Sequence, residues 1–206
     1  MTRLIAIASA VILAGLITAL LVLTSMKPGA DLYAACRTSS IAGGVGAIGG
    51  PFSLVNGKGQ TVTDQDVVTK PSLIYFGYTF CPDVCPADAA RNAETIDLLD
   101  EKGVDVTPVF ISIDPERDTP EVVDEYASYL HERMIGLTGS AQQVKAASQA
   151  YKTYYRKQEA EDEFYLMDHS TFTYLVLPEV GFVDFFRRDI PAEKLAQQVA
   201  CFVNAT

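Results

Sequence analysis

The chain has 206 residues, 49% hydrophobic and 20% charged, with 26 acidic against 16 basic side chains. At roughly 100 to 200 residues per domain, that length allows one folded domain and a remainder. The acidic excess argues against a nucleic-acid surface, because no basic stripe is available to neutralise phosphates; the 10 Tyr and 10 Phe can bury a core and argue against disorder.

The apolar excess lies at the start, where Leu4 to Leu23 is a run of 20 residues without a charge. As a helix rising 1.5 Å per residue it would span ~30 Å, the hydrocarbon thickness of a bilayer. Residues 1–30 are therefore expected to be a membrane anchor. A cleaved signal peptide would have an apolar core of only ~7 to 15 residues ending at small residues, and no clear A-x-A site follows. A lipid-attachment box at Tyr33-Ala34-Ala35-Cys36 fits poorly, since Tyr33 stands where an aliphatic residue is expected. Arg3 and Lys27, one on each side, give the positive-inside rule almost nothing to count; the α-amine biases the amino terminus inward. Residues 31–206, with 14 basic and 26 acidic side chains and a formal charge of −12, would then face the periplasm. Disulfides persist there. No Arg-rich transit peptide points elsewhere, so a bacterial inner membrane is the expected setting.

Residues 31–50 read as a Gly-rich linker. Gly44 to Gly49 matches G-x-G-x-x-G letter for letter, but a dinucleotide site needs a buried strand before it and a helix after it. Here a polar segment precedes and Pro51 follows.

From residue 51 the pattern is that of a domain. Phe52 to Val55 and Gln60 to Thr63 flank Asn56-Gly57, a hairpin signal. Ser72 to Tyr78 is a nearly continuous apolar run, as for a strand buried on both faces. Pro86 to Leu99 has helical apolar spacing, Val104 to Ile113 reads as a second buried strand, and Asp118-Thr119-Pro120 opens a helix to about His131. A short strand at 135–137, a helix from Ser140 to about Ala150, a hairpin at 171–177 and 182–187, and a last helix from Pro191 to about Val203 complete the order. Tyr151 to Lys157 and Phe164 to Met167 flank an acidic loop, Glu159 to Glu163, most simply read as solvated. Strands interleaved with helices imply an α/β fold with a mixed sheet flanked by helices. A cysteine pair at a strand–helix junction makes that order thioredoxin-like.

That pair is Cys81 and Cys85, in Cys81-Pro82-Asp83-Val84-Cys85-Pro86. A spacing of four puts both sulfurs on one side of one turn, close enough to chelate one metal or to close a disulfide. A helix amino terminus also favours the thiolate, which is both nucleophile and metal ligand. Redox dithiol, zinc site and copper site all remain open. Zinc structural sites take four ligands, and no second Cys/His cluster is present. The two histidines are His131, expected to be a solvated residue at a helix end, and His169, just before a core strand whose entrance faces the cysteine loop in a thioredoxin-like sheet. Asp168 is expected either to accept a hydrogen bond from His169 or to serve as a turn residue. Asp83 reads as a solvated turn carboxylate that can tune the loop's charge. Cys36 and Cys201 lie at opposite ends of the domain. In an oxidising compartment they can pair, tying the linker to the last helix, but spacing alone leaves both states open.

In YFGYTFCPDVCP at 75–86, FISIDPERDTP at 110–120 and DHSTFTYLVLP at 168–178, the sequence resembles the Sco/SenC family of copper-binding assembly factors for cytochrome c oxidase. The resemblance covers residues from about 49 to 203. It implies copper ligation by Cys81, Cys85 and His169, a membrane anchor and an outward-facing domain. It also implies delivery of copper to the CuA site of cytochrome c oxidase subunit II, with other periplasmic copper chaperones as further partners. Two thiolates and an imidazole suit Cu(I), and thiolate–imidazole ligation can also hold Cu(II). The alternative is a thiol–disulfide oxidoreductase that reduces the CuA cysteines through Cys81 or Cys85. The second hallmark, Asp114 to Pro120, reads structurally, as a strand end and a helix start.

Overall fold

The computed structural model describes residues 12–18, 21, 31–37, 39, 44–159 and 164–205. Contacts divide it into two units, Met1–Ala34 and Ala35–Thr206. In the first, residues 12–18 are helical, and the rest of the expected anchor over 4–23, apart from residue 21, lies outside the described residues. No helix among those described is long and apolar enough to cross a membrane.

The second unit takes in residues expected to be linker. Cys36 is disulfide-bonded to Cys201, with the Cα atoms 5.6 Å apart. Arg37 Nε donates to the Val183 carbonyl at 3.2 Å, and Ser39 Oγ pairs with the buried Asp184 carboxylate. A 3-10 turn at Val45–Ala47 follows, and the Gly49 amide donates to the Ala150 carbonyl at 2.9 Å.

The domain then runs β1 (Ser53–Asn56), β2 (Thr61–Thr63), α1 (Asp64–Val67), β3 (Ser72–Gly77), α2 (Val84–Asp100), β4 (Thr107–Ser112), α3 (Pro120–Leu130), β5 (Ile135–Thr138), α4 (Ala141–Ala150), β6 (Tyr155–Lys157), β7 (Met167–His169), β8 (Thr173–Leu177), β9 (Gly181–Phe186) and α5 (Ala192–Asn204). Seven strands form one sheet in the order β2-β1-β5-β4-β3-β8-β9. β3, β4 and β5 pair in parallel and the other neighbours antiparallel. β6 and β7 form a separate two-stranded ribbon.

Local chemistry explains most boundaries. Asn56 Oδ1 accepts from the amides of Lys58 and Gln60, and Gly59 takes a φ of +73° that L side chains rarely adopt, which closes the β1–β2 turn. Thr63, Thr119 and Ser140 cap α1, α3 and α4 through their hydroxyls. Asp118, expected to share in capping α3, is used elsewhere.

Every residue of β3 is buried, as its central place between β4 and β8 demands. Phe76 stacks with Tyr151 (5.4 Å between centroids) and Tyr174 (5.8 Å) in the core beneath it. Gly77 ends the strand where a Cβ would meet Tyr75 Cε1 at 2.9 Å, Phe110 Cε2 at 3.0 Å and Cys85 Sγ at 3.2 Å. Only glycine lets the chain turn this close to the sulfur. α2 and α5 pack on each other, and α3 lies against β5, β4 and β1. The result is a thioredoxin-like α/β fold with a mixed sheet and flanking helices.

Candidate metal centre

β3 delivers the chain into the loop carrying Cys81, and α2 begins at Val84, so Cys85 sits in its first turn. Cys85 is buried and Cys81 half-buried. The Cys85 amide donates to Cys81 Sγ at 3.2 Å. Asp83 occupies the N-cap position without a side-chain cap bond and is exposed.

The two thiols are electrostatically unlike. A hydrogen bond from the Cys85 thiol, joined by the amides of Cys85 and Asp83, pulls the Cys81 thiol down against the cost of its burial. The bond to Cys81 and burial push the Cys85 thiol up. The pair therefore favours loss of its first proton, with Cys81 the more acidic of the two.

His169 arrives on β7, opposite Tyr155 of β6. Its Nε2 lies 3.2 Å from Cys85 Sγ and its Nδ1 lies 2.8 Å from the Ser170 carbonyl oxygen. A carbonyl only accepts, so Nδ1 carries the proton and the Nε2 lone pair is directed at the sulfurs. Tyr75 and Tyr78 present their rings edge-on to the imidazole, at 6.3 Å and 5.9 Å. The donor atoms of Cys81, Cys85 and His169 all lie within 4.8 Å of one another. That separation suits one first-row ion with bonds of about 2.0–2.3 Å, the lengths known for zinc. A cleft of about 230 Å³, lined in part by Pro82, Val84, Leu166 and Met167, opens over Cys81 and His169, while Cys85 is buried. A larger cavity of about 330 Å³, beside Tyr151, Pro178 and Phe182, contains no thiol or imidazole and is not the candidate site.

Two expectations need correction. Asp168 does not bond to His169: its carboxylate accepts from Arg156 Nη2 at 2.8 Å and Gln158 Nε2 at 2.6 Å, and the Ser170 carbonyl takes the imidazole proton. In a strand, successive side chains point to opposite faces, so neighbours 168 and 169 diverge. His131 is not solvated either, because its side chain is only 9% exposed. Its Nδ1 accepts the Arg133 amide at 3.0 Å, which leaves the proton on Nε2, 3.4 Å from Asp97. His131, Asp97 and Asp100 are near neighbours, yet neither imidazole nitrogen offers a lone pair to an ion. Of the acidic loop, Glu159 is exposed and residues 160–163 lie outside the described residues. The rings of Tyr75 and Tyr78 around the imidazole were not singled out from sequence; Tyr75 two residues before a buried strand's end and Tyr78 three residues before Cys81 were the available signal.

The SCO1/SenC family model matches residues 42–204. The chain belongs to the SCO1/SenC family. It is 53% identical over 176 residues to Protein SenC of Rhodobacter capsulatus, covering 85% of this chain and 79% of that protein. Among solved structures, Arabidopsis thaliana ScoI with copper bound superposes with a TM-score of 0.72 at 46% identity, covering 76% of this chain and 98% of that one. Yeast Sco1 with copper bound gives 0.72 at 36% identity, covering 78% and 90%.

Proposed function

We propose that this chain is a copper metallochaperone that binds one copper ion through Cys81, Cys85 and His169 and delivers it to the CuA site of cytochrome c oxidase subunit II. Residues 4–23 anchor it in the bacterial inner membrane, and the domain works in the periplasm beside its acceptor and other copper chaperones. The observation that carries the reading is the placement of His169, with Nε2 3.2 Å from Cys85 Sγ and Nδ1 2.8 Å from the Ser170 carbonyl oxygen. Two sulfurs and one imidazole nitrogen form a soft set suited to Cu(I) and able to hold Cu(II). Copper in the Arabidopsis and yeast relatives supports the choice of metal. Ligation requires both sulfurs as thiolates, and the lowered Cys81 thiol favours the first of those deprotonations. Three protein ligands leave an edge from which an acceptor's cysteine can attack, and the cleft over the site supplies the approach.

A pure reductase needs the Cys81 thiolate but has no use for an imidazole lone pair aimed at Cys85. The test is copper titration of the reduced chain. One equivalent is expected to bind, His169→Ala to bind far more weakly, and the Cys81–Cys85 disulfide form not to bind. Wild-type affinity in His169→Ala would overturn the assignment.

A further inference from the structure

The ligands come from two different pieces of the fold. Cys81 and Cys85 follow β3 of the seven-stranded sheet, whereas His169 sits on the separate β6–β7 ribbon. Main-chain pairing therefore does not by itself fix the sulfur–imidazole distance. The turn between β4 and α3, Asp114 to Asp118, bonds to both pieces.

On the cysteine side, the Asp118 carboxylate is 1% exposed and accepts from the Thr79 amide at 3.0 Å, Thr79 Oγ1 at 2.6 Å and Ser112 Oγ at 2.5 Å. Thr79 is two residues before Cys81. On the ribbon side, Arg117 Nη1 donates to the Tyr165 carbonyl at 2.9 Å and its guanidinium lies 3.6 Å from the centre of the Tyr165 ring. Tyr165 Oη donates to Asp114 Oδ1 at 2.7 Å, and Arg117 Nε holds Asp114 Oδ2 at 2.6 Å. The guanidinium also lies 4.8 Å from the centre of the Phe80 ring, next to Cys81. Lys157 of β6 pairs with Glu116 at 2.6 Å, and the Met167 amide donates to Tyr78 Oη at 3.2 Å.

We infer that the Asp114–Asp118 turn is a bracket that sets the distance between the cysteine loop and His169, with Arg117 as the positioning residue that holds the ribbon in place. The inference rests on Cys81, Cys85 and His169 being the copper ligands. Partners of metal ligands typically change affinity by about 10- to 100-fold when removed, and a charged, planar, multiply bonded Arg over an aromatic ring is not replaced by Lys.

The test is a mutant cycle in the full chain, read by Cu(I) competition titration and by the imidazole nitrogen coupling in the spin resonance spectrum of the Cu(II) form. Arg117→Met is expected to weaken Cu(I) binding about tenfold and to reduce the nitrogen coupling; Arg117→Lys should recover only part of the loss. Tyr165→Phe, which removes one hydroxyl and keeps the ring, should move both readouts the same way by a smaller factor, and it carries the test if Arg117→Met fails to fold. In a His169→Ala background, both changes should add nothing. Without copper, the Met167 amide should exchange faster in Arg117→Met. Unchanged affinity in both variants, or the same loss in the His169→Ala background, would overturn the bracket. A His169→Ala chain that binds copper normally would instead overturn the ligand reading beneath it, so the two failures are distinguishable.

Discussion

The seven-stranded sheet and the two-stranded ribbon hold the proposed ligands by different means. All of β3 is buried, and the cysteine loop leaves it at a glycine wedged between two aromatic rings and a sulfur. In β6, Tyr155 is half-buried and Arg156 and Lys157 are exposed, and β7 is buried only at Met167. The sheet is held by main-chain ladders and packing, the ribbon largely by side chains from a neighbouring turn. The proposed metal centre, built across that divide, would keep two sulfurs fixed while its third ligand depends on a few side-chain contacts.

The comparison breaks most visibly in the sheet. Phe76→Ala should cost about 3–5 kcal/mol of stability, the usual penalty for removing a buried aromatic, read as a lowered urea midpoint; a loss near 1 kcal/mol would mean that the β3 core is less tightly packed than described. The Cys36–Cys201 bond closes a loop spanning 165 residues of sequence separation. Cys36→Ser should therefore cost about 2–5 kcal/mol in the oxidised chain, with no further loss on adding a reductant that opens only this bond. Asp118 sharpens the comparison through pH. Burial lifts its carboxyl above the ordinary range, so its contribution to stability is full below about pH 4, the unfolded value, and is lost as pH rises through the folded one. Asp118→Asn should accordingly gain on the unchanged chain as pH rises from about 4, whatever its absolute stability; a pH-independent difference would contradict this. The smallest effect belongs to the ribbon surface. Lys157 and Glu116 are about half or more exposed, so Lys157→Gln should shift stability by no more than about 1 kcal/mol, and less in high salt.

Much of the sheet and its helices was legible in the sequence, because those elements obey local rules. The unbroken apolar run of β3 signals a strand covered on both faces, and Thr119 and Ser140 announce their helices by capping chemistry. What escaped depended on partners distant in sequence. Ser39 and Arg37 join the domain through bonds to β9, which lies 145 and 146 residues away in sequence. The β6–β7 ribbon has three-residue strands, too short for a clear alternation. Asp168 was drawn to His169 by adjacency, but strand geometry turned it to Arg156. The three proposed ligands were readable as a cysteine pair and a scarce histidine; which nitrogen faces the sulfurs depends on the Ser170 carbonyl, a contact no sequence pattern announces.

The central claim is that one copper ion is held by two sulfurs and one imidazole nitrogen contributed by both pieces of the fold. X-ray absorption at the copper edge on the loaded, reduced chain tests it most directly. The account predicts two sulfur scatterers and one nitrogen scatterer around each copper, with the nitrogen lost in His169→Ala. Identical coordination shells in the two chains would contradict it.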